Sequence, residues 1–554
     1  MIIPYLSGKH NIFSALSSAG MFRFLSNLDS IFPACYNIVK FTATIFQEVL
    51  FMSQKLTALL LAALLLAGTF TACSEQPAET SDVSADAGTV ADTPAEETVP
   101  EETELRPDLP DADLDGYAFR VLTRDTDHHI KEVYAAELNG EVVNDAVYAR
   151  NLNVEEKYNM KLEAVEVTEA PETVMQDEFR RLVLAGDDAF DVALMHTVHA
   201  GATAIEGTAY NWNDVPHVDF SKPWWNTVLS EELNYDGMLF LAVSDYCISA
   251  IDYTWAMLYN RNMAADYQIA DLYETVENGE WDFDAFNGLT AVTSVDLNGD
   301  GQWGFDDQYG YVTHFNSATC NWNFAFDIRF VTRDEAGEPV LEPMSEKMVD
   351  ITEKIYDLYF TSGATLYLPD AKVSQMGEPS HDLAVANFFK AEKSLFAALR
   401  IYVIDELRDM EAEFGIIPFP KYEQAQEGYY THVDGHAPLM LLPKTLQNVD
   451  NAGLILEALA YESHKEVVPA VYEIVLQSKY ARDAASSRML DLILDGRVYT
   501  FGYIYDNWAG MQWNLTNLMS SGSKDYASYF KSREKAAQAQ LKKTLKSFDK
   551  IKNG

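Results

Sequence analysis

Hydrophobic and polar positions in the middle of the chain alternate between two periods. Gly116 to Thr123 alternates with period two, as a half-buried strand does. Asp145 to Tyr158 then carries Ala146, Ala149, Leu152 and Val154 at helical spacing, and Lys161 to Val167 returns to strand alternation. Glu172 to Ala185 reads as a helix ended by Gly186, and Asp191 to Met195 as a short, fully buried strand. This β-α-β-α-β order predicts a doubly wound open sheet. Ligands of such sheets bind beyond the carboxyl ends of the strands, which puts His196, Thr197 and the loop after them at a mouth.

The N-terminal pattern is different. Met52-Ser53-Gln54-Lys55 precedes an apolar run from Leu56 to Gly68, and Phe70-Thr71-Ala72 leads into Cys73. A base, a run too short to span a bilayer and small residues before a cysteine read as a lipoprotein export signal over 52–72, with Cys73 the lipidated first residue of the mature protein. Phe70 stands where leucine is commonest in such signals. Residues 1–51 lack any repeat or amphipathic period and read as an over-extended start. After Cys73, residues 73–113 are rich in Ala, Glu, Thr, Asp and Pro with Arg106 as the only base. Such a stretch cannot bury enough apolar surface to offset its ordering entropy, so a disordered acidic tether is expected.

The body from about Leu114 to Gly554 exceeds what one hydrophobic core usually serves, so two lobes are expected. The chain has 85 acids against 40 bases, a formal charge of −45, which excludes nucleic acid as a partner because phosphate binding needs clustered Lys and Arg. Only Cys247 and Cys320 remain in the body, and two buried free thiols are the ordinary reading of such a pair.

Phe179 to Val192, with Ala185-Gly186-Asp187 before Phe190-Asp191-Val192, resembles the helix, Ala-Gly-Asp and strand sequence of extracellular solute-binding proteins of ABC importers. Leu258-Tyr259-Asn260-Arg261-Asn262 is similar to a strand of that family, and Trp281-Asp282-Phe283-Asp284-Ala285-Phe286 to one of its helix starts. Asp296 to Gly310, Gly415 to Lys421 and Leu442 to Thr445 follow in the same order. The resemblance implies an α/β, two-lobed periplasmic-binding-protein-like fold, each lobe an open sheet flanked by helices, with a hinge and an interlobe cleft. By analogy lobe 1 covers 114–246 plus 434–490 and lobe 2 covers 247–433 plus 491–554. It also implies a function: a lipid-anchored protein on the extracellular face of the cell membrane, working as a single chain, captures a sugar or oligosaccharide and delivers it to ABC transporter permease subunits.

Carbohydrate pockets combine flat apolar faces with carboxylates and amides. The clusters that qualify include Tyr210, Trp212 and Asn213; Trp224 and Trp225; Asp245 and Tyr246; Asp252, Tyr253 and Trp255; Asn321 and Trp322; Asp434 and His436; and Trp508 and Trp513. Trp212, Asp245, Tyr246, Asp252, Trp255 and Trp322 form the expected ligand group, although core packing is the competing role for each and Trp224-Trp225 can simply pin a loop. His128-His129, His196 and His199 do not put three ligands on one helix face and read as loop and strand-end residues.

A separate motif runs from Asp296 to Asp307. Oxygen side chains at loop positions one, three, five and twelve with glycine at six match a calcium loop, with Asp296, Asn298 and Asp300 ligating through side chains, Gln302 through its carbonyl and Asp307 closing the shell. A strand pattern at Tyr309 to Val312 follows it, so this is a lone structural calcium loop rather than half of a paired sensor. The alternative is a metal-free acidic turn capped by its own Asx hydrogen bonds. No catalytic residue is expected, since serine-hydrolase elbows, His-Glu-x-x-His motifs and phosphate-cradling glycine loops are all missing. A secreted carbohydrate-active enzyme with an unmarked carboxylate pair and a peptide-binding lipoprotein are the competing functions.

Overall fold

The computed structural model describes residues 105–168, 173–476, 484–505 and 508–554. The over-extended start, the signal, Cys73 and the tether up to residue 104 lie outside the described residues. From residue 105 onward the expected tether is not detached. Leu109 and Ala112 pack on the core, and Asp113 accepts from Asn159 Nδ2 at 2.7 Å, because this end of the acidic stretch regains apolar residues.

Nine strands build two sheets: β1 (Tyr117–Arg124), β2 (Met160–Val167), β3 (Val192–His196), β4 (Trp255–Asn260), β5 (Tyr309–His314), β6 (Thr365–Leu368), β7 (Ser394–Arg400), β8 (Phe414–Ile417) and β9 (Pro438–Leu441). The first sheet has the order β9-β3-β1-β2 and the second β8-β4-β7-β5-β6. β1 runs parallel to β2 and β3, while β9 returns antiparallel beside β3. In the second sheet β5 is parallel to β6 and β7, and β4 is antiparallel to β7 and β8. Both sheets are covered by helices, which explains why β3, β4 and β5 are buried along their whole length and read as apolar runs.

The helices that position the site are α1 (Asp127–Val133), α2 (Val142–Tyr158), α3 (Val174–Ala185), α4 (Thr197–Thr203), α5 (Phe283–Thr293), α6 (Ser317–Ala325), α7 (His381–Lys390), α8 (Val449–Glu462), α9 (Phe501–Tyr505) and α10 (Tyr526–Asn553). α2 begins three residues before the periodicity suggests, because the Glu141 side chain accepts from the amides of Val143 and Asn144 and caps the extra turn. α3 ends as expected at Gly186, whose φ of 71° gives the left-handed cap. α5 starts where the Trp-Asp-Phe motif stands, with Asp282 accepting from Ala285 N.

Two chain segments join the sheets. Thr254 bridges Val433 in antiparallel fashion and Asp434 N donates to Tyr253 O at 2.9 Å, so the crossovers before β4 and before β9 run side by side. α1 is tied to the first crossover through Glu132, which accepts from Ser249 N at 2.9 Å and Ser249 Oγ at 2.6 Å. Cys247 and Cys320 are buried free thiols, as the sequence suggests.

Candidate functional site

The carboxyl ends of four strands converge at the junction of the sheets. Arg124 is the last residue of β1, His196 of β3, His314 of β5 and Arg400 of β7. The crossovers enter and leave at the same edge, since Trp255 at the start of β4 pairs with Arg400 and Pro438 at the start of β9 pairs with His196. A strand end exposes the one side chain that no longer lies over its own sheet, so this edge collects polar groups from both sheets into one band.

Arg400 is the hub. Its guanidinium pairs with Asp382 on α7 and, at 3.3 Å, with Asp434 on the second crossover. It also lies over the rings of Tyr253, Trp255 and Tyr402 at 5.2, 5.7 and 5.2 Å. Tyr402 donates to Asp382 at 2.6 Å and His436 Nδ1 meets Asp434 at 2.6 Å. Burial alone raises a carboxyl, but the adjacent Arg400, with His314 and Tyr402 at Asp382 and His436 at Asp434, holds both carboxyls well below the usual carboxylate range. Both are therefore anions at neutral pH.

Histidines fill the rest of the band. Of the chain's 11 histidines, His128, His129, His196, His199, His314, His381, His432 and His436 lie here, linked by ring contacts with one another or with neighbouring aromatics. His128 and His129 sit on α1 rather than on a loop, because Thr126 precedes a helical turn whose first amide bonds return to it. His196 is pushed down to about 2 by burial, with Arg124, His436 and His199 adding to the effect, and His432 is pushed down to about 4 by burial. Both rings are neutral at pH 7.

Several of these buried groups carry no hydrogen-bond partner among the described residues: both ring nitrogens of His196 and of His432, Trp255 Nε1 and Tyr503 Oη on α9. A buried polar group left so costs about 1–3 kcal/mol, and nearly all such groups in folded proteins are paired with protein or water. These atoms come from both sheets, a crossover and the C-terminal region. His432 stacks on Phe324 at 4.5 Å and meets Tyr503 edge-on at 4.8 Å. Gly435 lets the second crossover pass this close, since a Cβ there would lie 2.5 Å from Val198 Cγ1 and 3.0 Å from Tyr503 Oη. A cavity of about 290 Å³ adjoins the band, lined in part by His128, Lys131, Asp252, Tyr402 and Arg408.

The six residues expected to hold ligand divide between the band and elsewhere. Trp255 stands in the band against His314 at 5.2 Å, and Asp252 lines the cavity with Lys131 Nζ 3.0 Å away. Trp212 is buried against Phe220 and Trp225, with its amide donating to Leu239 O at 2.7 Å. Asp245 meets His464 Nδ1 at 2.6 Å, and Tyr246 lies beneath the Arg150 guanidinium at 4.7 Å. Trp322 donates to Tyr359 Oη at 3.0 Å among Phe283, Phe286, Phe326 and Phe419. These four lie away from the band, although Trp212 Nε1 and Tyr246 Oη likewise lack a hydrogen-bond partner among the described residues and Asp245 lines a separate cavity of about 160 Å³. Trp224 and Trp225 pin their loop, both indoles donating to the buried Glu457 at 2.9 and 2.7 Å. Sequence reasoning missed Arg124, His314, Asp382, Arg400, Tyr402, His432 and Tyr503, although the rule that led to His196 applies equally to the ends of β1, β5 and β7.

The acidic loop at 296–307 is folded on itself. Asp296 accepts from Gly299 N at 2.7 Å and Gly301 N at 2.8 Å, Asn298 from Asp300 N at 2.9 Å, and Asp300 from Gln302 N at 2.7 Å. Asp307 accepts from Leu297 N at 3.1 Å and Gly304 N at 2.7 Å. Among the described residues no group of three or more His, Cys, Asp or Glu is placed to hold a metal ion. The oxygens keep second lone pairs, so their chemistry suits calcium, while their amide bonds also suit the Asx-capped turn.

No family model matches the chain, and no curated protein matches it by sequence. Among solved structures it is similar to UspC of M. tuberculosis, at 14% identity over 76% of this chain and 99% of that one, with a TM-score of 0.50. The GacH receptor of Streptomyces glaucescens, solved unliganded and with acarbose, aligns at 13% identity over 79% and 98%, with a TM-score of 0.47. A Thermus thermophilus maltotriose-binding protein bound with maltotriose aligns at 15% over 77% and 100%, with a TM-score of 0.45. At 14% identity the likeness to UspC is one of fold, a two-lobed α/β arrangement. No helix among the described residues is long and apolar enough to cross a membrane.

Proposed function

We propose that this protein is an extracellular solute-binding lipoprotein that captures a sugar or oligosaccharide between its lobes and hands it to an ABC transporter permease. The observation that carries the reading is the set of buried, unpartnered polar atoms at the lobe junction on His196, Trp255, His432 and Tyr503. A polyhydroxylated ligand offers donors and acceptors close together and would satisfy such a set. Because the atoms come from both lobes, ligand contacts would be complete only when the lobes are closed. That differential contact is what lets a ligand shift the open and closed populations.

The charge state of the band argues against hydrolysis. A glycosidase needs one carboxyl that stays protonated to serve as general acid. Asp382 and Asp434 share Arg400 and are both held as anions, so neither suits that role. A thermal-shift screen against mono- and oligosaccharides, peptides and amino acids, with product analysis, tests the proposal. A saccharide that raises the melting temperature and is recovered uncut supports it, whereas cleavage points to an enzyme and a shift with peptides alone to a peptide binder.

Anchoring through Cys73 and delivery to a permease belong to the same proposal, supported by the signal pattern at 52–72. We also propose that the loop of Asp296, Asn298, Asp300, Gln302 and Asp307 takes a structural calcium ion, on the strength of its oxygen donors at positions one, three, five and twelve.

A further inference from the structure

Helix α10 is 28 residues long and buries one stripe, with Ala537, Leu541, Thr544 and Phe548 all turned inward. The Phe548 ring packs against Tyr235, Phe240, Phe501 and Tyr505 at 5.2, 5.9, 6.2 and 5.1 Å, which fixes the rotation of the helix on the body. At about 100° per residue, the diametrically opposite face carries Lys531, Lys535, Lys542, Lys543, Lys546 and Lys550 within an arc of roughly 120°. All six are exposed, and no carboxylate lies within ion-pair distance of any of them among the described residues. From Lys531 to Lys550 the stripe is about 28 Å long.

This face contrasts with the rest of the molecule. Residues 526–554 hold eight of the chain's 40 Lys and Arg but only two acids, Glu534 and Asp549, in a protein of net charge −45. We propose that the lysine stripe of α10 is a docking surface for an anionic lipid bilayer. The cores of protein–protein interfaces are depleted in lysine and built on aromatic residues and arginine, and the stripe has neither. Lysines are hydrated point charges on flexible stems, suited to headgroups that move laterally, and a straight helix lies flat on a plane. With no large apolar residue on the stripe, contact is electrostatic and without insertion, so it weakens with salt. Since the remaining surface is acidic and repelled, contact through α10 would also fix which side of the protein faces the bilayer.

The test is co-sedimentation of the purified full chain with phosphatidylcholine vesicles and with vesicles containing 30% phosphatidylglycerol. Neutral vesicles set the baseline, which includes any contribution of the apolar run at 56–68. Binding to the anionic vesicles should exceed that baseline at low salt and return to it at 0.5 M NaCl. Lys531→Gln, Lys535→Gln, Lys542→Gln and Lys546→Gln combined should weaken the anionic component at least tenfold, with an unchanged melting temperature because all four side chains are exposed. A charge-matched control, Lys157→Gln, Lys161→Gln, Lys444→Gln and Lys465→Gln, should bind as the parent does. Equal binding to both vesicle types, or equal losses in the two variants, would overturn the proposal. The saccharide reading is independent of this assay, so either can fail alone.

Discussion

Replacing Arg400 by methionine removes the one cation among the described residues that pairs with both Asp382 and Asp434 and leaves two carboxylates buried at the lobe junction. At an effective dielectric of about 20, the 3.3 Å separation from Asp434 corresponds to roughly 5 kcal/mol of attraction. Loss of the arginine's own desolvation cost returns part of this, and one-sided disruption of a buried pair typically costs about 3–5 kcal/mol. The loss must depend on pH. In the parent both carboxyl pKa values lie below the unfolded value of 3.8, so the stability they contribute is present above that pH and lost only as pH falls through the folded values. In Arg400→Met, burial is opposed only by His314 and Tyr402 at Asp382 and by the histidines beside Asp434, so both pKa values rise, and the penalty is largest at pH 7 and shrinks toward pH 5 as the carboxyls take up protons. Urea unfolding followed by tryptophan fluorescence at the two pH values measures this directly. Adding Asp382→Asn and Asp434→Asn should recover most of the loss, whereas Arg329→Met, at an exposed pair with Asp327, should cost under about 1 kcal/mol. A loss below 1 kcal/mol, or one equal at pH 5 and pH 7, would refute the reasoning.

Three further outcomes are expected. Gly435→Ala places a methyl 2.5 Å from Val198 Cγ1, which should destabilise by about 1–3 kcal/mol and weaken ligand capture, measurable by thermal melting and calorimetric titration. His432 is buried neutral with its pKa pushed down to about 4, below the unfolded 6.5, so the unfolded chain binds the proton first and stability falls with pH below 6.5. Between pH 6.5 and 5 this ring should cost about 2 kcal/mol, and His432→Gln should reduce the slope of that part of the profile, to which His196 contributes in the same direction. Calcium at millimolar concentration should raise the melting temperature of the parent and leave Asp296→Ala unmoved, while no shift in the parent would favour the Asx-capped turn.

How much of this was legible in the sequence depended on whether a signal was local. Period-two alternation located β1 and β2, a short apolar run located β3, and helical spacing located α2 and α3, although α2 turns Val143, Val147, Arg150, Asn151, Val154 and Tyr158 inward and leaves Leu152 exposed. The strand-end rule led to His196, and the crossover argument to Asp252, Tyr253, Trp255, Asp434 and His436. The strand-end rule would have placed Arg400 at the same edge, but its pairing with Asp382 and Asp434 and the role of Tyr503 were not legible, since they arise from contacts between positions 18 or more residues apart. The aromatic signal was ambiguous for a physical reason: Trp212 and Trp322 fill core volume as readily as they would cover a sugar, and nothing in a single sequence separates the two. Glu457, one turn of a plain apolar helix by pattern, became a buried acceptor only because two distant indoles reach it.

The central claim is that ligand is held by the strand-end band. Its most direct test is calorimetric titration of whichever saccharide stabilises the parent, repeated with His196→Ala and Trp255→Ala after confirming that both variants fold. Saturable one-site binding in the parent, weakened at least tenfold in each variant, is the result the account predicts. Unchanged affinity in both would place the ligand elsewhere and contradict it.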